Sequence, residues 1–253
     1  MKNSAGGPEE IKQKQLLKLV TNSFIKELKT YGVDNKDIVK VSVNVLDYVT
    51  DSNEDDPAKS NNYGSDLSIK EIQPNYPENH ILSFKDVSLK AMDKDMLPQL
   101  AEWLQEPENK QTLIRFFPTT IAELEHYFFG RPDRKYFAVF YRKENYVGII
   151  GADNIDESCQ KLEMKKFVGD TSFRSKGVGK FSTFLFLYYA FMKMEFNKVF
   201  IRSLDTNIKN INLNSKFGFE LEGILYQETC IDNAYRDVLR MSLLRKKWLE
   251  TFS

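Results

Sequence analysis

The chain has 253 residues, of which 42% are apolar and 28% are charged, and its 36 basic residues equal its 36 acidic ones. This composition is typical of a globular protein with one large or two small domains, and the absence of a basic excess argues against a general nucleic-acid surface. The N-terminus lacks the apolar core of a signal peptide, and the most apolar run, Phe181 to Met194, is too short to span a bilayer. The sequence therefore predicts a cytoplasmic protein without a membrane or nucleic-acid partner.

The first fifty residues are predicted to form a small α/β appendage. Glu9 to Tyr31 carries an apolar stripe with helical spacing, and Gly32 follows at a position where a residue with positive φ often ends a helix. Ile38 to Val49 alternates valine with polar residues, which favours a strand. A packing or dimerisation role is favoured over a binding module because the segment is so short.

Residues 51–79 are rich in Asp, Asn, Ser and Pro and are predicted to form a linker, so that the main domain spans residues 80–253. His80, at the boundary, is counted with this linker, and a structural role is expected for His80 and for His126. Cys159 and Cys230 lack the spacing of metal ligands, so we expect free, buried thiols and no metal site.

The main domain reads as alternating strands and helices. Asp93 and the pair Thr120–Glu123 are expected to cap two helices. The elements expected in chain order are a strand at Leu82–Leu89, a helix at Asp95–Gln105, a helix carrying Leu124 to Phe129, strands at Lys135–Tyr141, Tyr146–Ala152 and Leu162–Val168, a helix ending near Asn197, and a strand at Val199–Ser203. This order predicts a mixed α/β sheet flanked by helices.

A glycine-bearing turn, Phe173 to Lys180, joins the strand Leu162–Val168 to the long helix. The first turn of a helix has backbone N–H groups without intrahelical partners, and the helix dipole adds positive charge there. Gly177 and Gly179 carry no Cβ, so a phosphate can approach the backbone closely. The rim of the turn carries three cations, Arg174, Lys176 and Lys180. The turn therefore predicts a site for a phosphorylated ligand.

The turn fits neither of two common phosphate motifs. A Walker loop needs Ser or Thr after Lys180, where the chain has Phe181, and a dinucleotide fingerprint needs a third glycine where it has Ser182. The remaining pattern, Arg-x-x-Gly-x-Gly, resembles the pyrophosphate loop of the GNAT superfamily of acyl-CoA-dependent N-acyltransferases. Two later stretches also resemble this family, Asn207 to Gly223 and the C-terminal tail, so that the resemblance covers about Ile81 to Phe252.

The resemblance implies a GNAT-like, mostly antiparallel sheet whose strands Leu162–Val168 and Val199–Ser203 splay apart to admit acetyl-CoA as cosubstrate. It also implies direct transfer of acetyl, in a ternary complex, to a primary amine of a small molecule. A nucleotide-linked amino sugar is the first expectation, and a protein N-terminus is the alternative. An alternative from another class is an idle CoA-binding domain with an N-terminal interaction module. The protein could also form a homodimer under this interpretation.

The resemblance assigns cofactor contacts to three groups of residues. The strand end would line the pantetheine arm, the turn would hold the pyrophosphate, and asparagines would contact the arm near the thioester. These residues are Phe167, Val168 and Gly169; Arg174, Ser175, Lys176, Gly177, Val178, Gly179 and Lys180; and Asn207, Asn210 and Asn214.

Catalysis by such a site needs a base for the ammonium and an acid for the thiolate. Glu163, in the splayed strand, is the first candidate for the base, and Asp153 is the second. Many members of the family have a tyrosine acid seven residues after the asparagine, where this chain has Asn214. An amide cannot act as that acid, so Ser215 and Tyr226 are the remaining candidates.

Overall fold

The structure is a computed structural model that describes residues 8–30, 32–35, 38, 66–109, 117–204, 207–231 and 233–252. The chain divides into two compact units, residues 1–61 and residues 62–253. No helix in the described part of the chain is long and apolar enough to cross a membrane.

In the first unit, the described residues form a long helix, α1 (Pro8–Thr30). It ends at Gly32 as predicted, because this glycine has a φ of +76° and its N–H and that of the next residue donate to carbonyl oxygens of the last turn, each at 3.0 Å. Three residues of the apolar stripe are exposed: Leu17, Val20 and Phe24. Of the strand predicted at Ile38–Val49, only Ile38 is among the described residues, and it is helical rather than extended, because its N–H donates to the carbonyl of Asp34 at 3.0 Å.

The second unit is built on a nine-stranded sheet. Its strands are β1 (Gln73–Pro74), β2 (His80–Phe84), β3 (Val87–Ala91), β4 (Lys135–Tyr141), β5 (Asn145–Asp156), β6 (Lys161–Val168), β7 (Lys198–Leu204), β8 (Glu220–Ile231) and β9 (Ala234–Leu244). Their order across the sheet is β1-β2-β3-β4-β5-β6-β7-β9-β8. Among these described strands, only β6 and β7 pair in parallel. The predicted mixed, mostly antiparallel sheet is confirmed.

Helices cover both faces of this sheet. They are α2 (Leu97–Gln105), α3 (Ile121–Phe129), α4 (Val178–Tyr188), α5 (Ile208–Lys216) and α6 (Arg245–Phe252). Both predicted caps are present: the carboxylate of Asp93 accepts from the N–H of Asp95 at 3.1 Å, and the hydroxyl of Thr120 accepts from the N–H of Glu123 at 3.4 Å. A five-residue π-helix continues α4 to Lys193.

The beginning of this unit differs from the sequence prediction. The single strand expected at Leu82–Leu89 is a hairpin of β2 and β3, because the chain turns at Lys85, which has a φ of +51°. The second half of the expected linker also packs as part of this unit. Leu67 and Ile72 are buried in its apolar core, since these apolar side chains gain free energy by leaving water.

Two smaller predictions need correction. His80 is the first residue of β2 rather than part of a linker. Its Nδ1 lies 2.8 Å from the hydroxyl of Ser88 in a buried contact, as expected for a histidine with a structural role. Cys159 and Cys230 are free thiols, but both are exposed rather than buried.

Each face of the sheet packs against its own set of helices. On one face, α4 contributes Phe184 and Phe186 to the larger apolar core, and the π-helix that follows it contributes Phe191. On the other face, α2 and α3 pack against Ile149 of β5 and Phe167 of β6. Successive residues of β6 therefore point to different helices.

The sheet is interrupted between β6 and β7. These strands pair only from Lys161–Lys198 to Glu163–Phe200. Beyond this point β6 follows β5, and β7 follows β9. The divergence leaves a gap between residues 164–168 and 201–204, which confirms the predicted splay. Backbone groups on the edges of the gap can bind an extended, amide-bearing ligand.

Candidate active site

The helix α4 begins at the glycine-bearing turn. Gly177 is its N-cap with a φ of +80°, and Ser175 also has a positive φ, of +67°. The first helical hydrogen bond runs from the N–H of Phe181 to the carbonyl of Gly177 at 2.9 Å. The N–H groups of residues 178–180 therefore belong to the turn that has no partners within the helix. Together with the helix dipole, they can bind an anion.

The two glycines of this turn have different reasons to be glycine. A Cβ at Gly177 would lie 2.8 Å from Cε2 of Phe181, and the positive φ would strain any other residue. A Cβ at Gly179 would meet only Cδ2 of Leu213, at 3.8 Å, which is an ordinary contact. Packing does not require glycine at position 179, and helices disfavour it. The space beside Gly179 is therefore open to a ligand.

The three cations of the turn are not equivalent. Arg174 and Lys176 are exposed. Lys180 instead donates to both carboxylate oxygens of Asp66, at 2.6 and 2.7 Å. Asp66 thus offsets part of the positive charge that the sequence predicted at this rim.

The end of β6 presents backbone to the gap and side chains to the core. The ring of Phe167 is buried among the side chains of α2 and α3. The carbonyl of Val168 lies 3.4 Å from a guanidinium nitrogen of Arg174. A Cβ at Gly169 would lie 2.2 Å from the indole ring of Trp103, so packing excludes a side chain there.

Asparagines connect α5 to β7. The side chain of Asn207 caps α5 by accepting from the N–H of Asn210 at 3.3 Å. The amide nitrogen of Asn210 is 3.4 Å from the hydroxyl of Ser203 on β7. Asn214 is fully buried, and its amide nitrogen donates to the carbonyl and side-chain oxygens of Asn210, at 2.8 and 3.0 Å. The structure thus brings the three predicted asparagines together on one helix.

A lysine that the sequence analysis did not assign completes this network. The Nζ of Lys166, on β6, lies 3.2 Å from Oδ1 of Asn214 and 3.0 Å from the hydroxyl of Thr183 on α4. Burial lowers the pKa of its ammonium to about 7. Its sequence signal was the lysine pair Lys165–Lys166 between the apolar residues Met164 and Phe167 of a strand.

Glu163 is buried at the point where β6 and β7 diverge. Its carboxylate oxygens accept from Nε and Nη2 of Arg202 at 2.9 and 3.0 Å, and from the amide of Asn154 at 2.7 Å. The ion pair raises the pKa of the Arg202 guanidinium. A carboxylate has about four lone-pair sites, so one remains for a further donor.

Asp153 is buried opposite Glu163 on the neighbouring strand. It accepts from the hydroxyls of Tyr127 and Tyr136 and contacts the cationic groups of Lys165 and Arg134. Desolvation, together with the bond to Asp153, raises the pKa of both tyrosines. With four donor groups around it, Asp153 has little capacity left to accept a proton from a substrate.

The alternation of β6 gives the gap two different sides. Glu163 and Lys165 point to the face covered by α2 and α3, as Phe167 does. Lys166 points to the opposite face, where it meets α4 and α5. The side of the gap towards α2 and α3 therefore carries the carboxylate of Glu163, and the side towards α4 and α5 carries the ammonium of Lys166.

Two candidates for the acid lie away from these clusters. Ser215 is exposed on α5, next to the buried Asn214 but turned to another side of the helix. Tyr226 is 68% exposed on β8.

A pocket of about 500 Å³ opens beside the Asp153 cluster. Its lining residues are Pro118, Ala122, Glu123, His126, Tyr127, Arg131 and Arg134. Tyr127 and Arg134 contact Asp153, so the pocket reaches the polar cluster on the carboxylate side of the gap. Pro118, Ala122 and Glu123 of this lining follow closely on residues 110–116, which lie outside the described part of the chain.

Comparisons with known proteins agree with this geometry. The family model described as acetyltransferase (GNAT) domain matches residues 89–239. A spermidine N(1)-acetyltransferase from Vibrio cholerae is 26% identical over 113 residues, which are 45% of this chain and 65% of that protein. A second curated relative, from Bacillus subtilis and named as a candidate ribosomal N-acetyltransferase, is 27% identical over 101 residues. These stretches span only 65% and 55% of the two relatives.

Solved structures share the fold. The spermidine N-acetyltransferase of Vibrio cholerae in complex with CoA and spermine has a TM-score of 0.60 and 22% identity, covering 66% of this chain and 99% of that chain. A dodecameric structure of spermidine N-acetyltransferase from Vibrio cholerae has a TM-score of 0.55 and 21% identity, covering 66% and 98%. The family model matches more than half of the chain. The chain belongs to the family of GNAT acetyltransferase domains.

Proposed function

We propose that this protein transfers the acetyl group of acetyl-CoA to a primary amine of a small molecule by direct attack in a ternary complex. The observation that carries this proposal is the gap between β6 and β7, which begins at a buried glutamate and lies next to the open N-terminus of α4. A phosphate-binding turn beside an unpaired strand edge suits a ligand that has a pyrophosphate and an extended amide arm.

The residues present fit acetyl-CoA. The N–H groups of residues 178–180 would bind the pyrophosphate, and the missing Cβ of Gly179 lets it approach. Arg174 and Lys176 would add charge at the rim. The backbone of residues 167–169 would line the arm, and Asn207 would contact it near the thioester. The thioester supplies an activated acetyl group.

The remaining residues suggest how the amine would be activated. Glu163 is the proposed proton acceptor for the substrate ammonium, because one site of its carboxylate remains open beside Arg202. Asp153 is proposed to hold Tyr127, Tyr136 and Lys165 in place on the same side. The amine would then meet the thioester where the two strands diverge.

The acceptor is proposed to be a polyamine. The support is similarity to a curated spermidine acetyltransferase, while the nucleotide-linked amino sugar expected from the sequence has no support among the relatives reported above. A protein N-terminus is the second candidate, which the relative from Bacillus subtilis favours.

The proposal is tested by measuring thiol release from acetyl-CoA with a panel of amines. The panel contains spermidine, spermine, an amino-sugar nucleotide and a peptide with a free N-terminus. We expect the fastest release with the polyamines. Release with the peptide alone would make a protein N-terminus the acceptor instead of a polyamine. CoA binding without thiol release for any amine would favour the idle CoA-binding domain. A protein that does not bind CoA would contradict the proposal.

The pyrophosphate site is tested by two glycine variants. Gly179→Ala is expected to weaken CoA binding about tenfold or more, since it blocks a charge-assisted hydrogen bond. The same variant should raise the free energy of unfolding of the free protein by about 0.5–1 kcal/mol, because alanine favours the helix. Calorimetric titration with CoA and urea denaturation measure the two effects.

Gly177→Ala is the matched variant. Its Cβ would meet Phe181 and its φ is positive, so it should lower both stability and CoA affinity. If Gly179→Ala binds CoA with unchanged affinity, the pyrophosphate does not bind at this turn.

The N-terminal residues and the assembly state remain proposals. We propose residues 1–50 as an appendage, residues 51–79 as the connection to the main domain and residues 80–253 as the catalytic domain. The residues from Asp66 onward already pack on the catalytic domain. A homodimer is the simplest assembly proposed for the chain.

A further inference from the structure

We propose that Lys166 is the acid that protonates the departing thiolate of CoA. This inference rests on the proposed acetyl transfer, and it fills the role of acid, for which the sequence left only Ser215 and Tyr226 as candidates. Its Nζ lies 3.2 Å from Oδ1 of Asn214 and 3.0 Å from the hydroxyl of Thr183. Ser215 and Tyr226, the earlier candidates, are exposed elsewhere.

The position of Lys166 on β6 places it at the gap. It lies beyond Glu163, the last residue of β6 that pairs with β7, and its side chain reaches α4 and α5. The pyrophosphate turn opens α4, and Thr183 lies less than two helical turns after Val178. An arm that runs from this turn into the gap would pass the ammonium.

Asn214 acts as a positioning residue for this ammonium. Its amide nitrogen donates to two oxygens of Asn210, which leaves its Oδ1 to accept from Lys166. The amide orientation is thus fixed by the helix that carries it. By the resemblance described above, Asn214 stands where many members of the family have a tyrosine, so a proton donor held by Asn214 would lie close to where that hydroxyl acts.

The surroundings of Lys166 suit a proton donor at neutral pH. Thr183 and Asn214, which contact Nζ, are neutral, and Ile150 is the residue opposite on β5. Desolvation in this setting lowers the pKa of the ammonium to about 7. A free thiol has a pKa of about 8.5, so an ammonium with a lowered pKa is acidic enough to donate its proton to the departing thiolate.

The step balances as follows in atoms and charge. The amine nitrogen forms a bond to the acyl carbon while the carbon–sulfur bond breaks and its electron pair stays on sulfur. A proton moves from Nζ of Lys166 to the sulfur, which leaves a neutral lysine and the CoA thiol. The substrate ammonium gives one proton to Glu163 before the attack, its nitrogen gives a second proton to water once the new bond has formed, and solvent returns a proton to Lys166.

The first test titrates the thiol of CoA bound to the protein, followed by the ultraviolet absorbance of the thiolate. An ammonium beside the sulfur should lower the pKa of the bound thiol by about 1 or more relative to Lys166→Met. Lys161→Met is the matched control, because this lysine is on the same strand, is partly exposed and pairs with Asp156. The control should titrate like the wild type.

The second test restores the missing acid. Lys166→Met should lower kcat about 100-fold with little change in KM for acetyl-CoA. Asn214→Tyr introduced into the Lys166→Met protein should recover part of kcat, which a purely structural role of Lys166 would not predict. In the wild type, kcat should also fall as the pH rises above about 7, and this limb should be missing in Lys166→Met.

The outcomes separate the two proposals. A wild-type protein that does not bind CoA would overturn the proposed function. CoA binding with the same thiol pKa in the wild type and in Lys166→Met would overturn the role of Lys166 and leave the proposed function standing. Because the thiol titration needs no acceptor, it is independent of the amine panel.

Discussion

Glu163→Gln is expected to lower kcat for acetyl transfer by about 10²- to 10⁴-fold, the usual contribution of a general base. The amide keeps the size of the side chain but cannot accept the proton of the substrate ammonium. The amide oxygen still accepts from Nη2 of Arg202 and from Asn154, but the amide nitrogen takes the place of the oxygen that accepts from Nε of Arg202, so one hydrogen bond of the pair is lost. CoA is proposed to contact the backbone of this strand, so its binding should change little. Thiol release with the preferred amine and calorimetric titration with CoA measure the two effects.

Glu222→Gln is the matched control for this variant. Glu222 also pairs with an arginine, since its Oε2 is 3.1 Å from Nε of Arg240, and it contacts Lys198 as well. It lies on β8, outside the gap. We expect its kcat to stay within a few-fold of the wild type. Equal rates for Glu163→Gln and the wild type would mean that Glu163 is not the base and that water accepts the proton.

Asp153→Asn is expected to lower the free energy of unfolding by about 3–5 kcal/mol, the usual effect of removing one partner from a buried ionic cluster. The carboxylate is 4% exposed and accepts from two tyrosine hydroxyls while it contacts Lys165 and Arg134. An amide would bring an N–H donor towards groups that are themselves donors. The midpoint of urea denaturation measures the loss.

Asp156→Asn is the control for stability, because Asp156 ends the same strand but lies at the surface. Its substitution should shift the midpoint much less than that of Asp153. Equal shifts for both variants would mean that the cluster around Asp153 does not stabilise the fold. Tyr136→Phe should show a smaller loss than Asp153→Asn, since it removes a single 2.9 Å hydrogen bond.

The sequence by itself determined the features that depend on neighbouring residues. Asp93 and Thr120 cap their helices as predicted, because a cap needs only the first turn of its own helix. Gly32 and Gly177 take the positive φ that makes glycine necessary. The glycine turn was also predicted, and the resemblance to the GNAT family implied the splayed strands.

Only the tertiary structure decided which side chains meet across elements. Arg202 pairs with Glu163 from another strand, and the two tyrosines reach Asp153 from α3 and β4. Lys166 could not be singled out from its neighbour Lys165 in the sequence. The two side chains point to opposite faces of the sheet, and only the packing of helices on both faces shows which groups each one contacts. Contacts between residues far apart in the chain depend on packing, and local sequence does not encode their distances.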